Sequence, residues 1–322
     1  MLALVVRRVA QGVLTVVFAA TLAFFLLHLA PGNPVDATVN QPGMPAPFRA
    51  QMIHQWGLDR PVGEQYVRYV LSVFRGDLGW SFSAKRPVSA VLGDALPVTL
   101  VLAGTGIALS LAAGVAIGVV QTLRRGRPAD RLLGAGAMFF YSVPEFWLGL
   151  ALLLVFSYGL ALFPSGGWCD PVACDYFTPW ERVVDHLKHL VLPAGTIMLG
   201  TAAAIARHQR GALLDVVGED FVRTARAKGC SERRVFLRHA LRNALLPTIT
   251  LLGLAFPALV GGVVFVERIF SFPGMGNTAV NAVMARDYAL VTAVVSIGAA
   301  AVSVGALVAD LLHAAADPRV RE

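Results

Sequence analysis

Six apolar stretches, each approaching the length needed to cross a lipid bilayer, constrain this chain more than any other feature of its sequence. A helix rises about 1.5 Å per residue and the hydrocarbon core is about 30 Å thick, so about 20 apolar residues can cross it. The stretches are approximately Val9–Ala30, Val98–Val120, Leu132–Phe163, Leu190–Ala206, Ala244–Val266 and Ala289–Ala309. Of the 322 residues, 56% are hydrophobic and only 15% are charged, which excludes the disordered and the ordinary cytosolic or secreted classes.

The distribution of basic residues predicts the orientation of these spans. Segments 1–8, 121–131, 207–243 and 310–322 carry 17 of the 27 Lys and Arg residues, although the segments on the opposite side are longer. Lys and Arg accumulate in cytoplasmic loops near span ends. We therefore expect six transmembrane helices with both termini in the cytoplasm. The basic composition is then a sign of topology, and no nucleic-acid partner is needed to explain it.

The order of spans and loops divides the chain into four parts. Residues 1–30 hold an N-terminal segment and the first span, which we expect to be a retained anchor because no small-residue cleavage pattern follows it. Residues 31–97 form an extracytoplasmic lobe with short helices expected at Ala50–Gly57 and Pro61–Phe74. Residues 98–313 form the transmembrane core, and residues 314–322 a cytoplasmic tail.

The third apolar stretch is too long for one straight span and contains Pro144 followed by Glu145. Proline removes a backbone donor and clashes with the preceding turn, so we expect a kink or break there. A carboxylate inside a span usually faces a cavity or another helix. Pro144 and Glu145 are therefore candidates for a transport pathway, and the alternative for Glu145 is a structural hydrogen bond. Elsewhere, Gly114 and Gly118 lie four residues apart, as in spans that another helix approaches closely.

The loop at 207–243 is too long and too basic to be a simple connector. Apolar residues at helical spacing with Arg and Lys between them predict two short helices with a sharp corner. Gly229 suits the left-handed residue that ends the first helix, and Ser231 suits the cap of the second. Such an element either lies on an anionic membrane surface or docks into another protein.

Cysteine and lysine usage limits the chemistry of the chain. Cys169 and Cys174 lie in an outer loop, where disulfides persist, so we expect a small loop-closing bridge. A metal site with His186 or His189 is the weaker alternative because the ligand spacing is irregular, and we predict no metal. None of the three lysines follows the glycine pattern of a phosphate-binding loop, so ATP hydrolysis by that route is not expected in this chain. The chain is not predicted to be an enzyme.

Residues 220–247, from Asp-Phe-Val-Arg-Thr-Ala-Arg-Ala-Lys-Gly through Asn-Ala-Leu-Leu-Pro, resemble the cytoplasmic EAA loop of binding-protein-dependent ABC importer permeases. The form is that of the dipeptide and oligopeptide subgroup. Arg223-Thr224-Ala225 stands where the general motif has Glu-Ala-Ala, as in that subgroup. Further motifs resemble the same family in the expected order: Pro31-Gly-Asn-Pro34, Gly76-Asp-Leu-Gly79, Phe146-Trp-Leu-Gly149, Phe270-Ser-Phe-Pro-Gly-Met-Gly276, Arg286-Asp-Tyr288 and Asp317-Pro-Arg-Val-Arg321. The long first outer loop with Gly76-Asp-Leu-Gly79 is similar to that of the B-type subunit, the first of the two paired permeases.

The resemblance implies an all-α polytopic protein of the type I ABC importer permease architecture in the bacterial inner membrane. The expected partners are a second homologous permease, two ATPase subunits or domains that carry ATP and Mg, and an extracytoplasmic substrate-binding protein. The implied cargo is di- and oligopeptides, with nickel or another small solute as the alternative. A proton-coupled transporter built on Glu145 is the rival from another class. The residues implied to couple the chain to the ATPase are Glu219, Asp220, Arg223, Thr224, Ala225, Arg226, Lys228, Gly229, Ser231 and Arg233.

Overall fold

A computed structural model describes residues 2–29, 51, 53–54, 57, 59–245, 247–248 and 263–316 of the chain. By their internal contacts the residues divide into two units. The first comprises Met1–Thr99 and Pro273–Val304, and the second comprises Leu100–Phe272 and Gly305–Glu322. The described residues are mainly helical, with one two-stranded antiparallel sheet.

The first unit contains the N-terminal helix, the segment that joins it to α3, and most of the last helix. Its elements are α1 (Leu2–Leu29), α2 (Val62–Phe74), β1 (Trp80–Ser81), β2 (Arg86–Pro87), the start of α3 (Val88–Leu123), α9 (Met275–Met284) and α10 (Tyr288–Ala316). A buried apolar cluster joins the start of α3 to α9 and α10, with Val88, Leu92, Ala282 and Leu290 among its members.

A buried carboxylate ties the β-hairpin of this unit to the start of α10. Asp287 is 1% exposed, and its Oδ2 accepts hydrogen bonds from the Ser81 hydroxyl at 2.7 Å and from the Ser83 hydroxyl and amide at 2.8 and 2.9 Å. Its Oδ1 accepts from the Leu290 amide at 3.2 Å, at the first turn of α10. The charge is therefore buried with its acceptor sites filled, as a buried carboxylate requires.

The second unit contains the rest of α3 and the helices up to residue 269. The elements are α4 (Pro128–Ser142), α5 (Glu145–Leu152) with a π-helical continuation Leu153–Gly159, a 3₁₀ turn Cys174–Tyr176, α6 (Pro179–Val217), α7 (Asp220–Ala227), α8 (Glu232–Arg234) with a π-helical continuation Val235–Leu241, and helical residues 263–269. A capping box starts α6, in which the Thr178 amide donates to Glu181 Oε2 at 2.9 Å and the Glu181 amide donates to the Thr178 hydroxyl.

Four described helices are long and apolar enough to cross a membrane: α1, α3, α6 and α10. A fifth candidate is the pair α4 and α5, which is bent by 105°. The bend lies at Val143 and Pro144, where the sequence predicts a break, and the extended backbone of Pro144 starts α5. The predicted span Ala244–Val266 lies largely outside the described residues. The structure therefore confirms a polytopic helical protein with four or five candidate spans among the described residues.

Two helices extend beyond the apolar stretches that mark them in the sequence. The helix α6 continues to Val217, beyond the stretch that ends near Ala206, and α3 begins at Val88, before the stretch that starts near Val98. Hydropathy marks only the part of a helix that suits hydrocarbon, whereas the backbone bonds of the helix continue into water. The motif Phe270–Gly276 runs into α9, because Met275 and Gly276 already belong to that helix.

Small residues at four-residue intervals form the contact of α3 with α6 in the second unit. Gly106, Ser110, Gly114 and Gly118 follow one face of α3. A Cβ atom on Gly114 would lie 2.6 Å from Ile205 Cβ and 2.9 Å from the Ala202 carbonyl oxygen, and one on Gly118 would lie 2.9 Å from Gln209 Cβ. The close approach predicted for Gly114 and Gly118 is confirmed, and α6 is the helix that approaches.

Candidate functional site

The segment that follows α6 forms a small folded unit around α7. Val222 and Ala225 lie one turn apart on α7 and are buried together with Val235, while Val216 and Cys230 pack partly buried around them. The intervening side chains of α7, including Arg223 and Thr224, are exposed. The helix therefore holds itself in place by one apolar face and presents a polar face outward.

The corner after α7 is closed by backbone hydrogen bonds. Gly229 has φ +76°, a conformation that side-chain-bearing residues rarely adopt. The Gly229 amide donates to the Arg226 carbonyl at 2.9 Å, and the Cys230 amide donates to the Ala225 carbonyl at 3.3 Å. This pair of bonds, with Cys230 packed in the same cluster as Ala225, is the Schellman arrangement. The left-handed glycine predicted at Gly229 is confirmed.

The second side of the corner begins at Ser231. Its backbone has the extended φ and ψ of an N-cap, although its side chain makes no capping hydrogen bond. Across the corner, Arg226 binds Glu232 through two contacts, Nε to Oε1 at 2.9 Å and Nη2 to Oε2 at 3.3 Å. The pair is exposed, so water screens its contribution to stability. The ion pair fixes the side chains of Arg226 and Glu232 relative to each other across the corner.

The predicted coupling residues are brought together on this unit. Asp220 opens α7 and Arg226 lies in its last turn, which matches the helix dipole. Arg223 pairs with Asp220 at 3.4 Å, and Thr224 donates its hydroxyl to the Asp220 carbonyl. Ala225 is buried and serves as part of the apolar anchor. The exposed members are Glu219, Asp220, Arg223, Thr224, Arg226, Lys228, Gly229, Ser231 and Arg233.

A groove of about 570 Å³ adjoins this unit, and sequence reasoning missed most of its lining. One wall comes from the end of α3, with Val119, Thr122 and Leu123, and the other from the segment containing Phe236 and Leu237. The sequence of α3 does not predict that its last turn lies beside the segment after α7. Residue spacing shows which face of a helix is apolar, but it does not show which element packs against that face.

The second pair of predicted site residues lies at the break before α5. Glu145 occupies the first turn of α5, where a negative charge suits the helix N-terminus, and it is partly exposed. Within the described ranges, no hydrogen bond or ion pair joins Glu145 to another residue or to the segment around α7. Among the described residues, the two groups of predicted site residues are therefore not joined by hydrogen bonds or ion pairs.

The loop before α6 contains a disulfide between Cys169 and Cys174. His186 lies beside it, with ligand atoms of the three residues within 4.8 Å of one another, and its ring stacks on Trp168 at 4.6 Å. Sulfurs joined in a disulfide are not thiolates, so this pair offers no thiolate ligand to a metal ion while the bridge is intact. The amides of Val172 and Ala173 both donate to Asp170 Oδ1, which lowers the pKa of the Asp170 carboxyl.

Comparison with protein families gives two matches that together span the chain. Residues 91–322 match the family described as binding-protein-dependent transport system inner membrane component. Residues 1–103 match the N-terminal region of the membrane component of the same systems.

Curated relatives and solved structures agree with these matches. The oligopeptide transport system permease protein AppB of Bacillus subtilis is 36% identical, with 99% of each chain covered. The dipeptide transport system permease protein DppB of Escherichia coli K12 is 35% identical over all of this chain and 99% of its own. A chain of the MetNI methionine ABC transporter in an inward-facing conformation matches 70% of this chain and 96% of its own, with a TM-score of 0.56 and 18% identity. That structural likeness concerns the fold.

Proposed function

This chain belongs to the binding-protein-dependent transport system inner membrane components, and from that premise we propose that it is the permease subunit of an ATP-driven importer of di- and oligopeptides. The observation that carries the proposal is its 35–36% identity, over nearly its whole length, to permeases named for dipeptide and oligopeptide transport. Nickel or another small solute remains the alternative cargo within the same family. A transporter driven by protons through Glu145 has no comparable support.

The proposed complex contains this chain, a second homologous permease, two ATPase subunits and an extracytoplasmic binding protein. ATP and Mg belong to the ATPase subunits, and this chain acts as a non-catalytic membrane component. In the bacterial inner membrane we place six spans, with both termini and the segment around α7 in the cytoplasm. The excess of basic residues in that segment supports this orientation.

Residues Glu219 to Arg233 would form the element that receives the movement of the ATPase. Transmitting a displacement requires an element that moves as a unit. The buried cluster of Val222, Ala225 and Val235 and the two backbone bonds at Gly229 supply that rigidity. The exposed guanidinium and ammonium groups of Arg223, Arg226 and Lys228 would meet acidic groups on the ATPase.

Substitution of Gly229 tests the coupling proposal. Gly229→Val places a β-branched residue at φ +76°, where a left-handed conformation costs about 1–2 kcal/mol even for simpler side chains. The corner should reorient, and peptide uptake per ATP hydrolysed should fall in proteoliposomes that contain the whole complex and its binding protein. Gly211→Val is the matched control, since Gly211 is an exposed residue within α6 and a Cβ added there would have no atom within 4 Å.

Two results would count against this role. Unchanged uptake per ATP in Gly229→Val would show that the corner does not transmit movement. An equal loss in Gly211→Val would point to a general defect. Cargo is tested separately by competing labelled dipeptide uptake with unlabelled peptides and with nickel salts. Competition by nickel alone would overturn the peptide assignment and leave the importer assignment standing.

A further inference from the structure

A second groove lies between α4 and α6 and shares no lining residue with the groove beside α7. It encloses about 340 Å³. The α4 wall follows one helical face, with Arg131, Gly134, Met138 and Tyr141 at intervals of three or four residues. The α6 wall carries Ala203, Arg207 and Arg210 in the same way, and buried Gln121 of α3 lies beside them.

One end of the groove is strongly cationic. Arg210 is held by Asp130, with Nε to Oδ1 and Nη2 to Oδ2 both at 3.2 Å, and Asp130 also accepts from the Gly126 amide at 3.0 Å. Arg131 and Arg207 also line this end, and in the part of the chain that the structure describes neither pairs with a carboxylate. Asp130 is the single carboxylate of the lining, so three guanidinium groups leave a net charge of +2.

The other end of the groove is apolar. From Arg131 to Tyr141 along α4 is ten residues, which corresponds to about 15 Å. Along this distance the lining changes from arginine to Gly134, Ala137 and Met138, and the facing residue of α6 changes from Arg207 to Ala203. Met138 and Tyr141 are each more than half exposed, so the apolar end is open to the surroundings of the helix. The lining therefore passes from charged at the Arg131 end to mainly apolar at the Met138 end, where its polar groups are the buried Gln121 amide beside Gly134 and the Tyr141 hydroxyl.

The two ends of the groove match the two parts of a phospholipid, which has an anionic phosphate at one end and apolar acyl chains at the other. We propose that this groove binds one anionic phospholipid, with its phosphate between Arg131 and Arg207 and an acyl chain along Met138 and Tyr141. Guanidinium groups bind phosphate oxygens through paired hydrogen bonds, and basic pockets between spans bind anionic headgroups. A free phosphate would satisfy the arginines alone and would leave the apolar end of the groove without a role.

The test uses the whole importer complex, purified in mild detergent. Bound lipid is measured by native mass spectrometry after titration with phosphatidylglycerol or with phosphatidylcholine of the same acyl chains. The wild type should retain phosphatidylglycerol in preference. The double variant Arg131→Gln with Arg207→Gln should bind phosphatidylglycerol about tenfold or more weakly, since each basic residue near the headgroup adds to the affinity for an anionic lipid. The charge-matched control is Arg238→Gln with Arg242→Gln, two residues outside the groove, and it should bind as the wild type does.

Four outcomes would overturn the proposal. Equal retention of the two lipids by the wild type is the first, and it needs no variant to fold. Retention of phosphatidylglycerol by the groove variant at the level of its control is the second. Displacement of the lipid by millimolar inorganic phosphate is the third, and it would assign the arginines to a free anion. Cross-linking of Met138→Cys to the second permease would likewise show that protein, rather than lipid, covers the groove.

Discussion

Substitution of Gly114 by alanine should destabilise the contact of α3 with α6. A Cβ at this position would lie 2.6 Å from Ile205 Cβ and Cγ2 and 2.9 Å from the Ala202 carbonyl oxygen, whereas ordinary contacts lie at 3.4–4 Å. The helices must therefore separate by about 1 Å at this point, because a backbone oxygen cannot rotate away. Overpacking of this kind costs about 1–3 kcal/mol.

A matched substitution isolates the contact from helix propensity. Gly104 lies on the same helix, and no atom lies within 4 Å of a Cβ added there. Gly104→Ala should therefore gain up to about 1 kcal/mol from propensity alone, while Gly114→Ala should lose stability despite the same gain. Because the gain from helix propensity is common to both, the two variants should differ in free energy of unfolding by the overpacking cost, about 1–3 kcal/mol.

Unfolding in mixed detergent micelles, followed by far-ultraviolet circular dichroism during titration with sodium dodecyl sulfate, measures this difference. Both variants should first be shown to be monodisperse and helical. Equal unfolding midpoints for Gly104→Ala and Gly114→Ala would refute the reasoning, since the close approach of α6 would then carry no energetic consequence. A loss in both variants would point to flexibility of α3 as the property that matters.

Other contacts lead to three further expected outcomes. Gly106→Ala should lose less stability than Gly114→Ala, because the Cβ added at Gly106 would lie 2.8 Å from a side-chain methyl group of Ile197 rather than against the backbone. Adding Ile197→Ala should therefore restore part of the stability that Gly106→Ala loses, and the same unfolding titration measures both effects. Asp287→Asn should increase hydrogen exchange at the amides of Ser83 and Leu290, since hydrogen bonds to a charged acceptor contribute about 1.5–3 kcal/mol; unchanged exchange would contradict it. Glu145→Gln should lower uptake of lysine-containing dipeptides relative to Ala-Ala if Glu145 lies on the pathway, and an unchanged uptake ratio would remove it from the pathway.

The sequence predicts those elements that are determined by residues close together in the chain. The apolar stretches locate α1, α3, α6 and α10, the break before α5 follows from Pro144, and the end of α7 follows from Gly229. Each of these depends on hydrogen bonding or backbone freedom within a few residues. Local effects of this kind can be predicted from the residues at the position itself.

Features that depend on distant partners were not predictable in the same way. Gly114 and Gly118 indicate that some helix approaches, but not that it is α6. The pairing of Asp130 with Arg210 joins residues 80 positions apart, and the groove beside α7 takes one wall from α3. The end of α6 at Val217 was missed because helical bonding continues beyond the apolar stretch. A single sequence does not show which of several apolar helices packs against a given helix face, and that choice depends on packing between distant parts of the chain.

The length of α6 has a mechanical consequence. The helix runs unbroken through 39 residues, despite Pro193 in its interior, and ends shortly before α7 begins. At about 1.5 Å per residue it is about 58 Å long, so a tilt of about 5° around its middle would swing each end by about 2.5 Å in opposite directions. If the helix moves as a rigid rod, a displacement of its end beside α7 is accompanied by one of similar size, in the opposite direction, at the disulfide-closed loop before Thr178.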